Sequence, residues 1–392
     1  MSQSLRSTRV TSLLKNFKRL ESSSSKTQIK DAWTDFNFRP TSLKIDNDDI
    51  KKGVFDKINE QQGPHSIENY TQKLSYHSPN EIDETFKQAY EILQHEANIK
   101  YTHVKGMEKK LSESNSTEST ISIQNRIDQL LTEAELYNPE VLYNVEFNKP
   151  ESLDKSHPVY RHYLKQKWEK YDLMITMQRL EQLGVIPDTL PTLNPKADVK
   201  VKFPHNSESQ FSNWIVPGEV LPAFAVEQPP TVQIQEFETV NPNQLYTVIV
   251  VNPDSPDLST NSFSTTLHYG LQNIPLNNVN NIIDCQTLLN DVEDKFTFKS
   301  YVPLLPEKNA GKYQRACLWV FRQSEPLQLS SSTISSEKFD IRQFVASNNL
   351  NPIGAHVWRQ VFDRSVPEIR QKYGLPKGRV FHRVRGTDPI IE

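Results

Sequence analysis

The residues best suited to bind a ligand lie in the second half of the sequence, where an apolar stretch ends. This stretch, LYTVIVVNPDSPD, runs from Leu245 to Asp257 and finishes with two acidic residues and two prolines. Such an ending either holds carboxylates at the mouth of a pocket or forms a capped turn, in which Asp254 bonds to loop amides. Further on, His268 between Leu267 and Tyr269 is either a ligand-binding group or a half-buried histidine with satisfied hydrogen bonds.

Motifs for catalysis or metal binding are missing from the sequence. It contains no local signature of a Ser-His-Asp or Cys-His site, no glycine-rich phosphate loop and no metal-ligand spacing among its ten histidines. The two cysteines, Cys285 and Cys317, sit in apolar contexts and are expected to be reduced thiols of the core. We therefore expect a protein that is not an enzyme and has neither a metal nor a cofactor.

Composition limits the remaining classes of function. The 392 residues suffice for two or three domains, and 36% of them are hydrophobic. The formal net charge of -3 argues against nucleic-acid binding by bulk charge, although a local basic face stays open. No apolar run approaches the roughly 20 residues of a membrane helix.

The first 25 residues differ from the rest in charge. Five cations precede the first acidic residue, Glu21, and the segment is rich in serine with an apolar side at helical spacing. Basic, acid-free and amphipathic composition is typical of a mitochondrial transit segment, and the alternative is a disordered basic arm. We expect mitochondrial targeting.

Helical periodicity dominates the region up to about residue 190. Apolar spacing predicts helices over 78–97, 123–134 and 157–185, with a flexible polar loop over 111–120 and a linker after Gly184. The third helix carries Lys165, Lys167 and Lys170 among aromatic residues. These lysines are candidate RNA contacts, or they belong to an ordinary amphipathic helix whose rings face the core.

From Ala197 onward, short apolar runs alternate with Pro, Asn and Gly turns, which predicts a β-sandwich or barrel followed by a helix, a strand and a final helix. The C-terminal end is densely basic and includes Arg379, Arg383 and Arg385. They are candidate contacts to RNA phosphates or part of a solvated tail.

Three motifs in this β-rich region resemble the phosphatidylethanolamine-binding protein family: VIVVNPDSPD, LHYGLQNIP and YQRACLWVFRQ, in that order. The resemblance covers about residues 195–385. It implies an α+β fold, a β-sandwich with flanking helices, preceded here by a helical N-terminal extension. It also implies a small anion-binding pocket for phospholipid head groups or phosphorylated ligands.

The residues of that implied pocket are altered. Asn252 replaces the first acid of the family's loop, while Asp254 and His268 match the family pattern. Gln314 and Ala316 replace a histidine and a tyrosine, and only Arg315 remains between them. Because each charge-assisted hydrogen bond contributes about 1.5–3 kcal/mol, these losses predict a vestigial pocket, with Asp254 and His268 kept for structure.

A branch of the family belongs to the mitochondrial large ribosomal subunit, and residues 179–204 look like its junction between helical extension and β domain. The expected organisation is therefore a transit-like segment (1–25), a ribosome-docking extension (26–190), the β-sandwich domain (195–385) and a tail (386–392). The resemblance implies a structural protein of the mitochondrial ribosome in the matrix, with large-subunit proteins and rRNA as partners and no small-molecule substrate. The alternative is a regulatory module that binds a phosphoryl ligand or a phospholipid head group.

Overall fold

The computed structural model describes residues 40–47, 50–51, 67–76, 81–113, 117–206, 209–241, 243–285, 288, 296–330 and 334–382. The transit-like segment and two of the candidate RNA contacts, Arg383 and Arg385, lie outside the described residues. The chain divides into two compact units between Leu164 and Lys165, whereas the sequence placed its boundary at 190–195.

The first unit is helical. Its helices are Tyr70–Leu74 (α1), Ile82–Glu113 (α2), Thr117–Glu135 (α3), Pro139–Phe147 (α4) and the beginning of Pro158–Lys167 (α5). Buried side chains of α2 pack on α3 along the length of this hairpin: Ala97, Tyr101 and Val104 against Ile127, Leu130 and Ala134. The expected helical region before the β domain is confirmed.

The predicted flexible loop over 111–120 is wrong. Helix α2 continues to Glu113 and α3 begins at Thr117, so helix occupies most of that stretch. The stretch is polar but contains neither proline nor glycine, and Leu111 at its start still packs in the hairpin. Composition alone suggested a loop, but the tertiary packing of the hairpin stabilises helix there.

The helices of the second unit begin with a change of winding. A π-helical turn, Trp168–Asp172, follows α5 and leads into Leu173–Gln182 (α6). Trp168 in this turn and Leu180 in α6 are both buried, and the Trp168 ring lies 5.0 Å from that of Phe237. The remaining helices are Val185–Asp188 (α7), Ile341–Ser347 (α8) and Val366–Lys372 (α9).

The strands of this unit form two sheets. They are Ala197–Lys202 (β1), Val220–Pro222 (β2), Thr231–Glu236 (β3), Leu245–Asp257 (β4), Ser262–Pro275 (β5), Ile282–Asp284 (β6), Thr297–Lys299 (β7), Gln314–Gln323 (β8) and Asn351–Val361 (β9). One sheet has the order β1-β3-β6 and the other β2-β9-β8-β4-β5-β7. The predicted order of helix, strand and helix after residue 340 is also present.

Both faces of the larger sheet are buried, which explains the unbroken apolar run of β4. Val248 and Val250 point into the core between the two sheets, and Ile249 and Val251 point to the opposite face. Helix α8 covers that opposite face. The predicted β-sandwich with flanking helices is therefore confirmed.

The residues predicted to form a linker after Gly184 are part of this second core. Val185 and Leu190 are buried beside Leu180 against the larger sheet, and Thr189 accepts a hydrogen bond from the Trp319 indole at 3.1 Å. The prolines of this segment suggested an extended connection. The apolar side chains between the prolines are instead covered by the larger sheet.

Candidate functional site

The stretch between Asn252 and Asp257 is strand rather than loop. Its residues pair with β5, and the register shifts between the Asn252–Thr266 and Ser255–Ser264 pairs, which marks a β-bulge. Within the bulge, Asn252 Oδ1 accepts a bond from the Asp254 backbone N–H at 2.8 Å. The turn-fixing bond predicted for Asp254 is thus made by Asn252, and that part of the prediction is wrong.

Asp254 is instead the partner of Arg315. The Arg315 backbone N–H donates to Asp254 Oδ2 at 2.8 Å, its Nε to the same oxygen at 2.9 Å, and its Nη2 to Oδ1 at 2.5 Å. The side chains are only 14% and 21% exposed. Hydrogen bonding to Asp254 raises the pKa of Arg315, although burial opposes this. The carboxylate that matched the family's pocket is therefore occupied by an arginine of the same chain.

Arg315 also binds the turn after α6. Its Nη1 donates to the Leu183 carbonyl at 2.6 Å and to Asp188 Oδ2 at 2.8 Å. Gly184 lies between these acceptors at φ +66°, and a Cβ there would lie 3.1 Å from Arg315 Nη1. We call Asp254, Arg315 and Asp188 the arginine clamp. Asp188 was not predicted as a site residue. The one sequence signal for a turn near it is Gly184, which ends the preceding helix.

Asn252, Gln314 and Ala316 point away from the clamp. Asn252 Nδ2 donates to Gln314 Oε1 at 3.2 Å, so these two neutral amides bind each other. Ala316 is fully buried, and its cross-strand neighbour is Trp358, which is 2% exposed. Apolar packing surrounds the position at which the family resemblance implies a phenol.

Gln360 is the neighbour of Gln314 on β9 and was not singled out by its sequence context. It is 1% exposed, and both atoms of its amide lack a hydrogen-bond partner among the described residues. No charged group belongs to this set of amides. It offers neutral donors and acceptors only.

His268 is half-buried, as predicted. Its Nδ1 lies 2.9 Å from the Val302 carbonyl, while Nε2 is shielded from solvent and has no partner among the described residues. The expectation that its hydrogen bonds are satisfied is therefore wrong at Nε2. Burial lowers the pKa of His268 to about 4, so the imidazole is neutral at pH 7 and provides no charge for a phosphate.

The candidate RNA contacts differ in their surroundings. Lys167 and Lys170 are exposed, and Lys165 lies 4.0 Å from Glu169. Arg379 is paired with Glu307 at 2.9 Å and lies over the ring of Phe381. Trp168 is buried but Tyr171 is 65% exposed, so the aromatic residues of this helix do not all face the core.

A separate shallow groove lies elsewhere in the second unit. It is lined by residues that include Trp168, Met177, Leu193, Ala197 and Gly354, none of which belongs to the vestigial pocket. Across the described ranges, no group of three or more His, Cys, Asp or Glu residues is placed to hold a metal ion. A helix suited to cross the bilayer is likewise absent from that part of the chain.

Comparison with known proteins agrees with the family resemblance. Residues 211–358 match the family model described as phosphatidylethanolamine-binding protein. The chain is 29% identical over 249 residues to the large ribosomal subunit protein mL38 of Schizosaccharomyces pombe, an alignment that covers 63% of this chain and 75% of the relative. The family resemblance of the β-rich domain is confirmed.

Two solved structures are also similar over about half of the chain. One is a carboxypeptidase Y inhibitor complexed with its cognate proteinase, with 15% identity, a TM-score of 0.37 and coverage of 48% of this chain and 95% of that one. The other is a phosphatidylethanolamine-binding protein from Plasmodium vivax, with 17% identity, a TM-score of 0.36 and coverage of 48% and 98%.

Proposed function

We propose that this protein is a structural component of the large subunit of the mitochondrial ribosome, supports mitochondrial translation and is not an enzyme. The observation that carries the proposal is the extent of the similarity to the Schizosaccharomyces pombe relative. That alignment spans 249 residues and three quarters of the relative, more than the segment 211–358 that matches the family model. The similarity therefore includes sequence that a ligand-binding domain alone does not need.

The geometry of the vestigial pocket supports the same proposal. A phosphate site needs several charged or N–H donors that converge on one anion. Here Arg315 is bound by Asp254 and Asp188, and His268 is neutral at pH 7. Asn252 and Gln314 bind each other. A scaffold role fits these contacts better than the alternative of a phosphoryl-ligand module.

Each segment of the chain has a role in this proposal. Residues 1–25 direct the protein to mitochondria, and the matrix is its place of assembly. Residues 26–190 dock on the ribosome, and the β-sandwich domain of residues 195–385 follows with its short tail. Large-subunit proteins and rRNA are the partners, with Lys165, Lys167 and Lys170 among the candidate contacts.

Sedimentation of a mitochondrial lysate tests the proposal. The protein should travel with the large subunit through a density gradient, also after magnesium is removed to separate the subunits. A matched control is the chain without residues 1–20, which should stay outside mitochondria and off the gradient peak. If the full chain remains at the top of the gradient under both conditions, the ribosomal function is wrong, and a titration with phosphoryl ligands is the next test.

A further inference from the structure

Two basic segments that are far apart in the sequence lie side by side in the second unit. The segments are residues 307–312 and 376–382; residues 379–381 run along residues 307–309, and Lys308 and Val380 form a parallel bridge. The Phe381 N–H donates to the Lys308 carbonyl at 2.9 Å, and Asn309 Nδ2 donates to the Phe381 carbonyl at 2.9 Å. We call this pair of segments the basic edge.

Arg379 holds the basic edge together. Its backbone N–H donates to Glu307 Oε1 at 2.9 Å, and its Nε donates to both oxygens of the same carboxylate, at 3.1 Å to Oε1 and 2.9 Å to Oε2. Its Nη2 also reaches the Pro256 carbonyl at 3.4 Å, and its charge lies 5.4 Å from the centre of the Phe381 ring. Arg379 is therefore engaged within the protein, and its role is to position the segment.

Three lysines of the basic edge face solvent without an acidic partner among the described residues. Lys308, Lys312 and Lys377 are exposed, and none of them forms an ion pair with another described residue. Glu307 is the single acidic residue in the sequence of the two segments, and Arg379 neutralises it. The basic edge thus has a net charge of +3, although the whole chain has a formal net charge of -3.

We propose that the basic edge binds the phosphate backbone of RNA through Lys308, Lys312 and Lys377. The inference rests on the proposed function and names the surface by which the β domain meets rRNA. Unpaired lysines on a backbone-anchored strip match a chain of phosphates, because such contacts need charge without fixed geometry. The buried core of a protein–protein interface is more apolar than this, because Val380, 49% exposed, is the one large hydrophobic side chain that the described residues of the basic edge expose.

The size of the effect follows from counterion release. Each phosphate neutralised on a single strand contributes about 0.7 to the slope of log K against log salt. Replacement of all three lysines by glutamine should reduce that slope by about 2 and weaken binding about 100-fold at about 0.1 M salt. Each single replacement should weaken binding about fivefold.

The test uses the purified full chain and a short labelled single-stranded RNA, with anisotropy measured across a salt series. The variant Lys308→Gln/Lys312→Gln/Lys377→Gln is compared with Lys196→Gln/Lys338→Gln/Lys372→Gln, which removes the same charge from exposed lysines elsewhere in the second unit. The first variant should lose about two units of slope. The second should bind like the unsubstituted chain.

Gradient sedimentation of both variants separates this inference from the proposed function. If the chain travels with the large subunit but the first variant binds RNA as tightly as the control, the RNA surface is refuted and the ribosomal function stands. If the first variant leaves the gradient peak while its RNA affinity is unchanged, the basic edge contacts protein and the inference is again wrong. Absence of the unsubstituted chain from the peak refutes the ribosomal function alone.

Discussion

The arginine clamp predicts that Asp254 stabilises the fold far more than Asp188 does, although both carboxylates bind Arg315. In Asp254→Asn, the side chain keeps one acceptor oxygen but loses its charge, so the bonds from Nε, Nη2 and the backbone N–H weaken together. Hydrogen bonds to charged groups contribute about 1.5–3 kcal/mol each. With the residual solvent exposure of this pair taken into account, we expect a loss of about 2–3 kcal/mol.

Asp188→Asn is the matched control. Its side chain is 49% exposed, and its one bond to Arg315 is of the surface type, so we expect a loss below about 1 kcal/mol. Urea unfolding followed by tryptophan fluorescence measures the loss of stability in both variants. Trp319 suits this measurement because it lies in β8, an inner strand of the larger sheet that also carries Arg315. A double-mutant cycle with Arg315→Gln should give a coupling of about 1–3 kcal/mol for Asp254 and near zero for Asp188.

Two results would refute this reasoning. Equal losses for Asp254→Asn and Asp188→Asn would mean that the partly buried bonds are no stronger than the exposed one. A coupling near zero between Asp254 and Arg315 would mean that the clamp contributes nothing, and the retained carboxylate would then need another explanation, such as a ligand.

Three further results are expected. Burial lowers the pKa of His356 to about 4, below the ordinary 6.5, so the unfolded chain takes up the proton first and the free energy of unfolding should fall as pH falls from about 6.5 to 4. His356→Gln should flatten that fall in urea midpoints, and an equally steep fall in the variant would contradict the assignment. Ala316→Tyr should destabilise by about 1–3 kcal/mol or more, because the buried site beside the Trp358 ring has no room, and isothermal titration should show no phosphate binding. Gly270→Ala should also destabilise the protein, since its Cβ would lie 2.3 Å from the Phe298 ring. Adding Phe298→Leu should recover part of the lost free energy of unfolding, and an unchanged loss in the double variant would contradict the contact.

Sequence reasoning succeeded where periodicity reflects packing on both sides of an element. The continuous apolar run of β4 predicted a strand, and the strand is buried on both faces. Sequence reasoning failed where a prediction relied on composition alone, without knowledge of tertiary contacts. The polar residues of 111–120 suggested a loop, and the prolines after Gly184 suggested a linker, but neighbours that are distant in sequence stabilise both stretches.

The vestigial pocket shows the same limit at the level of single side chains. The replacements at Asn252, Gln314 and Ala316 were readable from the family pattern. The partner of Asp254 was not, because Arg315 is 61 residues away and its direction depends on strand register. Likewise, the segments that carry Lys308 and Lys377 come together through a main-chain bridge between Lys308 and Val380, which the sequence does not reveal.

The burial of Leu180, Val185 and Leu190 determines which piece of this chain can fold by itself. These side chains are at most 4% exposed, and all of them precede residue 195, where the sandwich begins in the sequence. At about 1.5–3 kcal/mol for each buried side chain, a fragment that starts at 195 would lose about 5–9 kcal/mol, as much as the whole stability of many domains. The segment that matches the family model, residues 211–358, is therefore shorter than the segment that the core of the sandwich needs. Residues 180–190 form one wall of the sandwich, so an insertion or recombination that separates them from the sheet would destabilise the β-sandwich domain.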